Sequence, residues 1–183
     1  MIKLKFYGLG GQGVVTASKI LSTAVSLHEG RYAITVPSYG YERRGAPVNT
    51  SIVVDDIPVL VNCFVYEPDI VVVFDASIID KNVNISEGIH KDSILVLNTE
   101  KASVLDKYSK FGFKEIYFAD GTEIAHDVTG VAVPNGSMMG VLAKTGVVGI
   151  ESAEKAVEEV FGKKVGELNA KAARKAYEAT KKM

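Results

Sequence analysis

A chain of 183 residues, 47% of them hydrophobic and 23% charged, has material for one sizeable core and is too short for two domains of ordinary size, so a single domain over residues 1–183 is expected. The formal net charge of −1 offers no global field for nucleic acid, and the longest apolar runs are strand-sized rather than long enough for a membrane span. The N-terminus lacks the order of basic, apolar and small-residue regions of a leader, and the expected location is the cytoplasm.

Residues 2–7 are an apolar run that predicts a strand, and Gly8-Leu9-Gly10-Gly11-Gln12-Gly13 follows it immediately. The spacing of Gly8, Gly10 and Gly13 is the G-x-G-x-x-G pattern. In that pattern the first glycine permits a tight turn, the second lets a phosphate approach the backbone, and the third lets the next helix pack close to the strand. Such a helix points free N–H groups and a positive dipole end at an arriving anion.

Ala17, Ile20, Leu21, Ala24 and Val25 recur at helical spacing, and Gly30 ends that helix. Residues 32–36 read as the second strand of a parallel βαβ unit with a right-handed crossover. A nicotinamide-binding domain would place an acid at the end of this strand for the ribose hydroxyls. Val36, Pro37 and Ser38 stand there instead, and Glu29 precedes the strand. This argues against a dinucleotide-dependent dehydrogenase.

Residues 38–47 hold Ser38, Tyr39, Gly40, Tyr41, Glu42, Arg43, Arg44 and Gly45. Guanidinium forks suit phosphate and carboxylate oxygens, and tyrosine rings stack on bases. The arginine pair is equally suited to acids on a neighbouring chain.

Residues 48–54 alternate as a strand, Asp55 and Asp56 turn the chain, and residues 57–64 return, which predicts an inserted β-hairpin with Pro58 near an edge. Within the returning strand, Cys63 is the only cysteine of the chain. It excludes an internal disulfide or an iron–sulfur cluster held by this chain alone, and its setting predicts buried packing. His28, His90 and His126 lack ligand spacing.

Residues 70–74 and 94–97 are continuous apolar runs of central strands, ending at Asp75 and Asn98. Residues 116–119 form a late strand, with Asp120 and Glu123 as a capping pair for a helix through Val128. Pro134-Asn135-Gly136 starts a core helix bearing Met138, Met139, Leu142 and Ala143. Glu151 and Glu154 open another that Gly162 closes, and the last helix covers about residues 167–181. The fold class is α/β: a Rossmann-like, open, mostly parallel sheet flanked by helices, with the hairpin inserted. Ligands of such sheets lie beyond the carboxyl ends of the strands, where Gly10 to Gly13, Ser38, Asp75 and Asn98 fall.

Three segments together, residues 8–17, 37–48 and 134–140, resemble the gamma subunit of the 2-oxoacid:ferredoxin oxidoreductases, the pyruvate and ketoisovalerate group in particular. The resemblance covers essentially the whole chain. It implies a multi-subunit enzyme that decarboxylates a 2-oxoacid, most readily pyruvate, on thiamine diphosphate, passes electrons through iron–sulfur clusters to ferredoxin, and yields an acyl-coenzyme A. Thiamine diphosphate, magnesium and the clusters are then expected on alpha, beta and delta-type partner subunits, and none on this chain. Coenzyme A carries a pyrophosphate and a ribose phosphate, which suit a glycine cradle beside an arginine pair. Gly10, Gly11, Gln12 and Gly13 are therefore expected to approach the phosphates. Ser38, Tyr39, Gly40, Glu42, Arg43 and Arg44 are expected to grip the nucleotide or close over the neighbouring active site. No catalytic acid–base group is assigned, and the isolated chain is expected to be inactive. The rival readings are an NAD(P)-dependent oxidoreductase and a purely structural subunit whose two loops dock partner chains.

Overall fold

The computed structural model describes residues 1–38, 44–60 and 62–183. In chain order its elements are β1 (Ile2–Leu9), α1 (Val14–Thr23) prolonged by a π-helical turn (Ala24–His28), β2 (Tyr32–Ser38), β3 (Pro47–Asp55), β4 (Ile70–Val73), β5 (Ile94–Asn98) and α2 (Ala102–Tyr108). There follow β6 (Glu115–Ala119), α3 (Gly121–Thr129), α4 (Asn135–Ala143), α5 (Ile150–Phe161), α6 (Lys163–Ala179) and β7 (Lys181–Lys182). The seven strands form one sheet in the order β2-β3-β1-β4-β5-β6-β7. β1, β4, β5 and β6 are parallel, whereas β3 is antiparallel to both its neighbours and β7 is antiparallel to β6.

The apolar run of β4 divides between two cores because successive side chains face opposite sides of a strand. Ile70 and Val72 join Leu4, Phe6, Ile52 and Val54 beneath α1, α4, α5 and α6. Val71 and Val73 join Tyr7, Leu95 and Leu97 on the other face, covered by Ile78, Ile85 and Tyr108. Burial on both faces is why this run does not alternate.

All nine residues of α4 are buried, so the helix has no polar stripe. It packs against α6 through small residues: a Cβ on Gly140 would lie 2.7 Å from the carbonyl carbon of Ala173, and one on Gly136 would lie 2.9 Å from Asn169 Oδ1. Met138 and Met139 belong to the core, as expected for a methionine-bearing helix. Asp120 caps α3, its carboxylate accepting from the Glu123 N–H at 2.9 Å.

The hairpin is formed differently from the sequence reading. Residues 48–54 do pair within a hairpin, but with β2 before them and not with residues 57–64 after them. β3 is buried from Thr50 to Val54 and takes hydrogen bonds on both edges, from β1 and β2, which leaves no free edge for a returning strand. Among the described residues of 57–64 there is no strand, so Pro58 lies in none, and Ile57, Leu60 and Phe64 are exposed. Cys63 is exposed with them, contrary to the expected packing role. The insertion also corrects the first βαβ unit, since β2 runs in the direction of β1 but lies one strand beyond it. The last helix begins at Lys163, earlier than expected, and ends at Ala179. No helix among the described residues is long and apolar enough to cross a membrane.

The α4–α6 contact leaves no room for a methyl group where backbone faces backbone. Gly140→Ala is expected to cost about 2 kcal/mol and to lower the midpoint of thermal unfolding, followed by circular dichroism, by about 4–8 °C.

Candidate functional site

The parallel strands bring their carboxyl ends to one rim. β2 ends there as well, and β3, running the other way, starts there. Gly10 to Gly13, Ser38, Arg44, Asp75, Asn98 and Asp120 therefore share a single edge of the sheet.

At this rim the glycine turn and the end of the arginine loop are joined by backbone. The Gly10 N–H donates to the Ala46 carbonyl at 2.8 Å, and the Gly45 N–H donates to the Gly10 carbonyl at 3.0 Å. Gly11 and Gly13 have φ of +98° and +72°, a region that side chains disfavour. A Cβ on Gly11 would sit 3.7 Å from Arg44 Cγ, so the two loops touch at that point. Between them opens a cavity of about 540 Å³, lined by Leu9, Gly10, Gly11, Gly13, Arg44 and Val48 and by the first turn of α1. Among the described residues no side chain caps α1, so the amides of Val14, Val15 and Thr16 keep the free donors of a helix start. The exposed guanidinium of Arg44 adds a formal positive charge to the lining. Free amides, a helix dipole and a cation on one wall favour a phosphate or carboxylate.

Gln12 faces away from this cavity. Its Oε1 accepts from the Leu9 N–H at 2.8 Å, and its Nε2 donates to Asp75 Oδ2 at 2.6 Å. The other carboxylate oxygen of Asp75 accepts from the Ser77 N–H and hydroxyl at 2.9 and 2.7 Å. On the remaining side Asn135, at the start of α4, packs on Gly13: a Cβ there would lie 3.0 Å from Asn135 Cγ. The late Pro-Asn-Gly motif thus buttresses the glycine turn. Sequence reasoning missed that link, as it missed Val15, Thr16 and Val48 in the lining. The only sequence signal for the helix residues is their place in the first turn of α1.

Of the remaining expected residues, Ser38 ends β2 on the same rim without lining the cavity. Tyr39, Gly40, Glu42 and Arg43 lie outside the described residues.

A second rim cavity of about 560 Å³ opens over β4, β5 and β6, with Asp75, Asn98, Lys101, Lys107, Tyr108 and His126 among its walls. Its central polar groups are occupied internally. Asn98 Nδ2 donates to the Phe74 carbonyl and to Thr122 Oγ1, both at 2.7 Å, while its Oδ1 accepts from the Thr122 N–H at 3.3 Å. Tyr108 donates its hydroxyl to the Ala76 carbonyl at 2.8 Å. Burial first, then the charges of Asp75 and Asp80, hold the Tyr108 phenol well above its ordinary range and keep it a neutral donor. Among the described residues, no three His, Cys, Asp or Glu side chains assemble as metal ligands.

Comparison with known proteins agrees with this architecture over the whole chain. The family profile described as pyruvate ferredoxin/flavodoxin oxidoreductase matches residues 3–179. The pyruvate/ketoisovalerate oxidoreductases common subunit gamma of Pyrococcus furiosus is 44% identical over 183 residues, 98% of this chain and 97% of that one. Pyruvate synthase subunit PorC of Methanocaldococcus jannaschii is 44% identical over 178 residues, covering 97% of this chain and 96% of its own. The crystal structure of pyruvate oxidoreductase subunit PORC from Thermotoga maritima superposes with a TM-score of 0.82 at 33% identity, covering 99% of this chain and 97% of that one. The chain belongs to the pyruvate ferredoxin/flavodoxin oxidoreductase family, in line with the resemblance carried by its three motifs.

Proposed function

We propose that this chain is the gamma subunit of a multi-subunit 2-oxoacid:ferredoxin oxidoreductase, acting on pyruvate in the first instance, and that its task is to hold coenzyme A beside chemistry performed by partner chains. The observation that supports this best is the shared wall of the glycine turn and Arg44, tied by the hydrogen bonds between Gly10 and the Gly45–Ala46 backbone. The free amides of α1 suit a pyrophosphate, and Arg44, with Arg43 beside it in sequence, suits a second phosphate on the same ligand. Binding a multiply charged carrier in a fixed orientation accelerates acyl transfer without any bond being made by this chain. Thiamine diphosphate, magnesium and iron–sulfur clusters belong, on this reading, to alpha, beta and delta-type partners in the cytoplasm, with ferredoxin as electron acceptor.

The geometry weighs against the dinucleotide alternative in two ways. Gln12 and Asp75 are hydrogen-bonded across the place where β1 and β4 part. The end of β2, where a ribose-binding acid would stand, is displaced outward by the whole width of β3.

Removing the cations should weaken binding more than turnover. In the assembled complex, Arg43→Ala together with Arg44→Ala is expected to raise the KM for coenzyme A at least about tenfold with little change in kcat, as the loss of charged hydrogen bonds predicts. An unchanged KM would refute the coenzyme A site. The purified chain alone is expected to turn over no 2-oxoacid and, in a fluorescence titration, to bind no NADH. Activity with partners absent would contradict the subunit reading.

A further inference from the structure

β1 and β4 are parallel neighbours from which the chain departs in opposite directions, to β3 and β2 on one side and to β5 and β6 on the other. The gap above such a pair is where doubly wound sheets take their ligands. Here the gap is crossed by a side-chain bridge. The Gln12 amide is committed on both sides, with its oxygen to the Leu9 N–H at the end of β1 and its nitrogen to Asp75 beyond the end of β4. Asp75 is itself anchored by Ser77, so three donors converge on one half-buried carboxylate. Gln12 sits between Gly11 and Gly13, both at positive φ, and its side chain, held at both ends, anchors the Cα that the two adjoining peptide units share.

We propose that Asp75 is a positioning residue that acts through Gln12: the pair latches the β1–β4 gap shut and sets the glycine turn so that a phosphorylated ligand is received on the β1–β3 side, against Arg44. The inference rests on the coenzyme A reading of that cavity. Electrostatics reinforces the steric argument, because the Asp75 charge repels an anion on the β4 side of the turn while Arg44 attracts one on the other. Asp75 accepts hydrogen bonds only, and its two oxygens already take them from Gln12 and Ser77, so beyond that repulsion its effect on the ligand is transmitted by the turn.

The latch can be broken and rebuilt with its polarity reversed. Gln12→Glu sets two carboxylates against each other. Adding Asp75→Asn places an amide opposite the introduced carboxylate and lets it donate across the gap. The carboxylate at position 12 still accepts from the Leu9 N–H, and the amide oxygen at position 75 still accepts from Ser77. The double variant also has the same formal charge at the site as the natural pair. In the assembled complex, Gln12→Glu is expected to raise the KM for coenzyme A about tenfold with little change in kcat, and the double variant to return it to within about twofold of the starting value. Gln12→Met, of similar volume and without the amide, is expected to raise the KM likewise and serves if Gln12→Glu does not assemble. Arg44→Ala, measured alongside, separates the two ideas. A raised KM in Arg44→Ala with an unchanged KM in both Gln12 variants overturns the latch and leaves the site standing. Failure of the double variant to improve on Gln12→Glu also overturns the latch. An unchanged KM in Arg44→Ala overturns the site and the latch with it.

Discussion

The direction of β3 is the constraint on which the rest of the rim depends. An antiparallel strand beside β1 must begin where β1 ends, and the register pairs Leu9 with Pro47. The loop that feeds β3 is thereby delivered to the glycine turn, close enough for Gly45 and Ala46 to exchange backbone hydrogen bonds with Gly10. Had β3 been parallel, its start would lie at the opposite end of the sheet and Arg44 would be a strand length away from α1. The cavity is thus a consequence of topology first and of side chains second. The buried stretch from Thr50 to Val54, with neighbours on both edges, holds β3 in that place.

The turn itself is fixed from three directions, which offsets the freedom that its glycines would otherwise give it. Backbone freedom at Gly10, Gly11 and Gly13 carries an entropic cost on ordering, and an unsupported turn would incur it each time a ligand arrived. Here Ala46 and Gly45 hold one side, the Gln12–Asp75 pair a second, and Asn135 at the head of a wholly buried helix a third. The two positive-φ glycines are therefore locked rather than loose. The close α4–α6 packing stands behind the same turn, because Asn135 is the first residue of α4.

Much of this was legible in the sequence, and the limits follow a physical pattern. Strand, glycine turn and helix could be read at residues 2–27 because local periodicity and punctuation agree there. The same holds for β4 and β5, whose unbroken apolar runs announce burial on both faces, and for the Asp120 cap. What failed was pairing. Residues 48–54 and 57–64 look like two halves of a hairpin by turn chemistry alone, yet β3 satisfies its hydrogen bonds with the preceding strand and with β1. Register and partner choice depend on contacts distant in sequence, which no local pattern encodes. Cys63 was misjudged for the same reason, since its expected burial depended on that strand. The role of Asn135 toward Gly13 joins residues more than a hundred positions apart, and the role of Gln12 toward Asp75 more than sixty. The motifs were visible while their mutual contacts were not.

The displaced second strand also sets the surroundings of this glycine turn apart from those in a dinucleotide-binding sheet. In a dinucleotide-binding sheet the strand after the first helix lies next to β1, so that an acid at its tip reaches the ribose held by the glycine turn. Here β2 is separated from β1 by β3, and two interstrand spacings put its tip about 10 Å from the end of β1. An acid introduced at Ser38 would therefore not restore the missing contact. The same insertion that removes the ribose partner supplies Arg44 at the glycine turn. One strand, placed antiparallel between two others, moves the tip of β2 away from the glycine turn and brings a guanidinium to it, with the start of α1 left uncapped beside them.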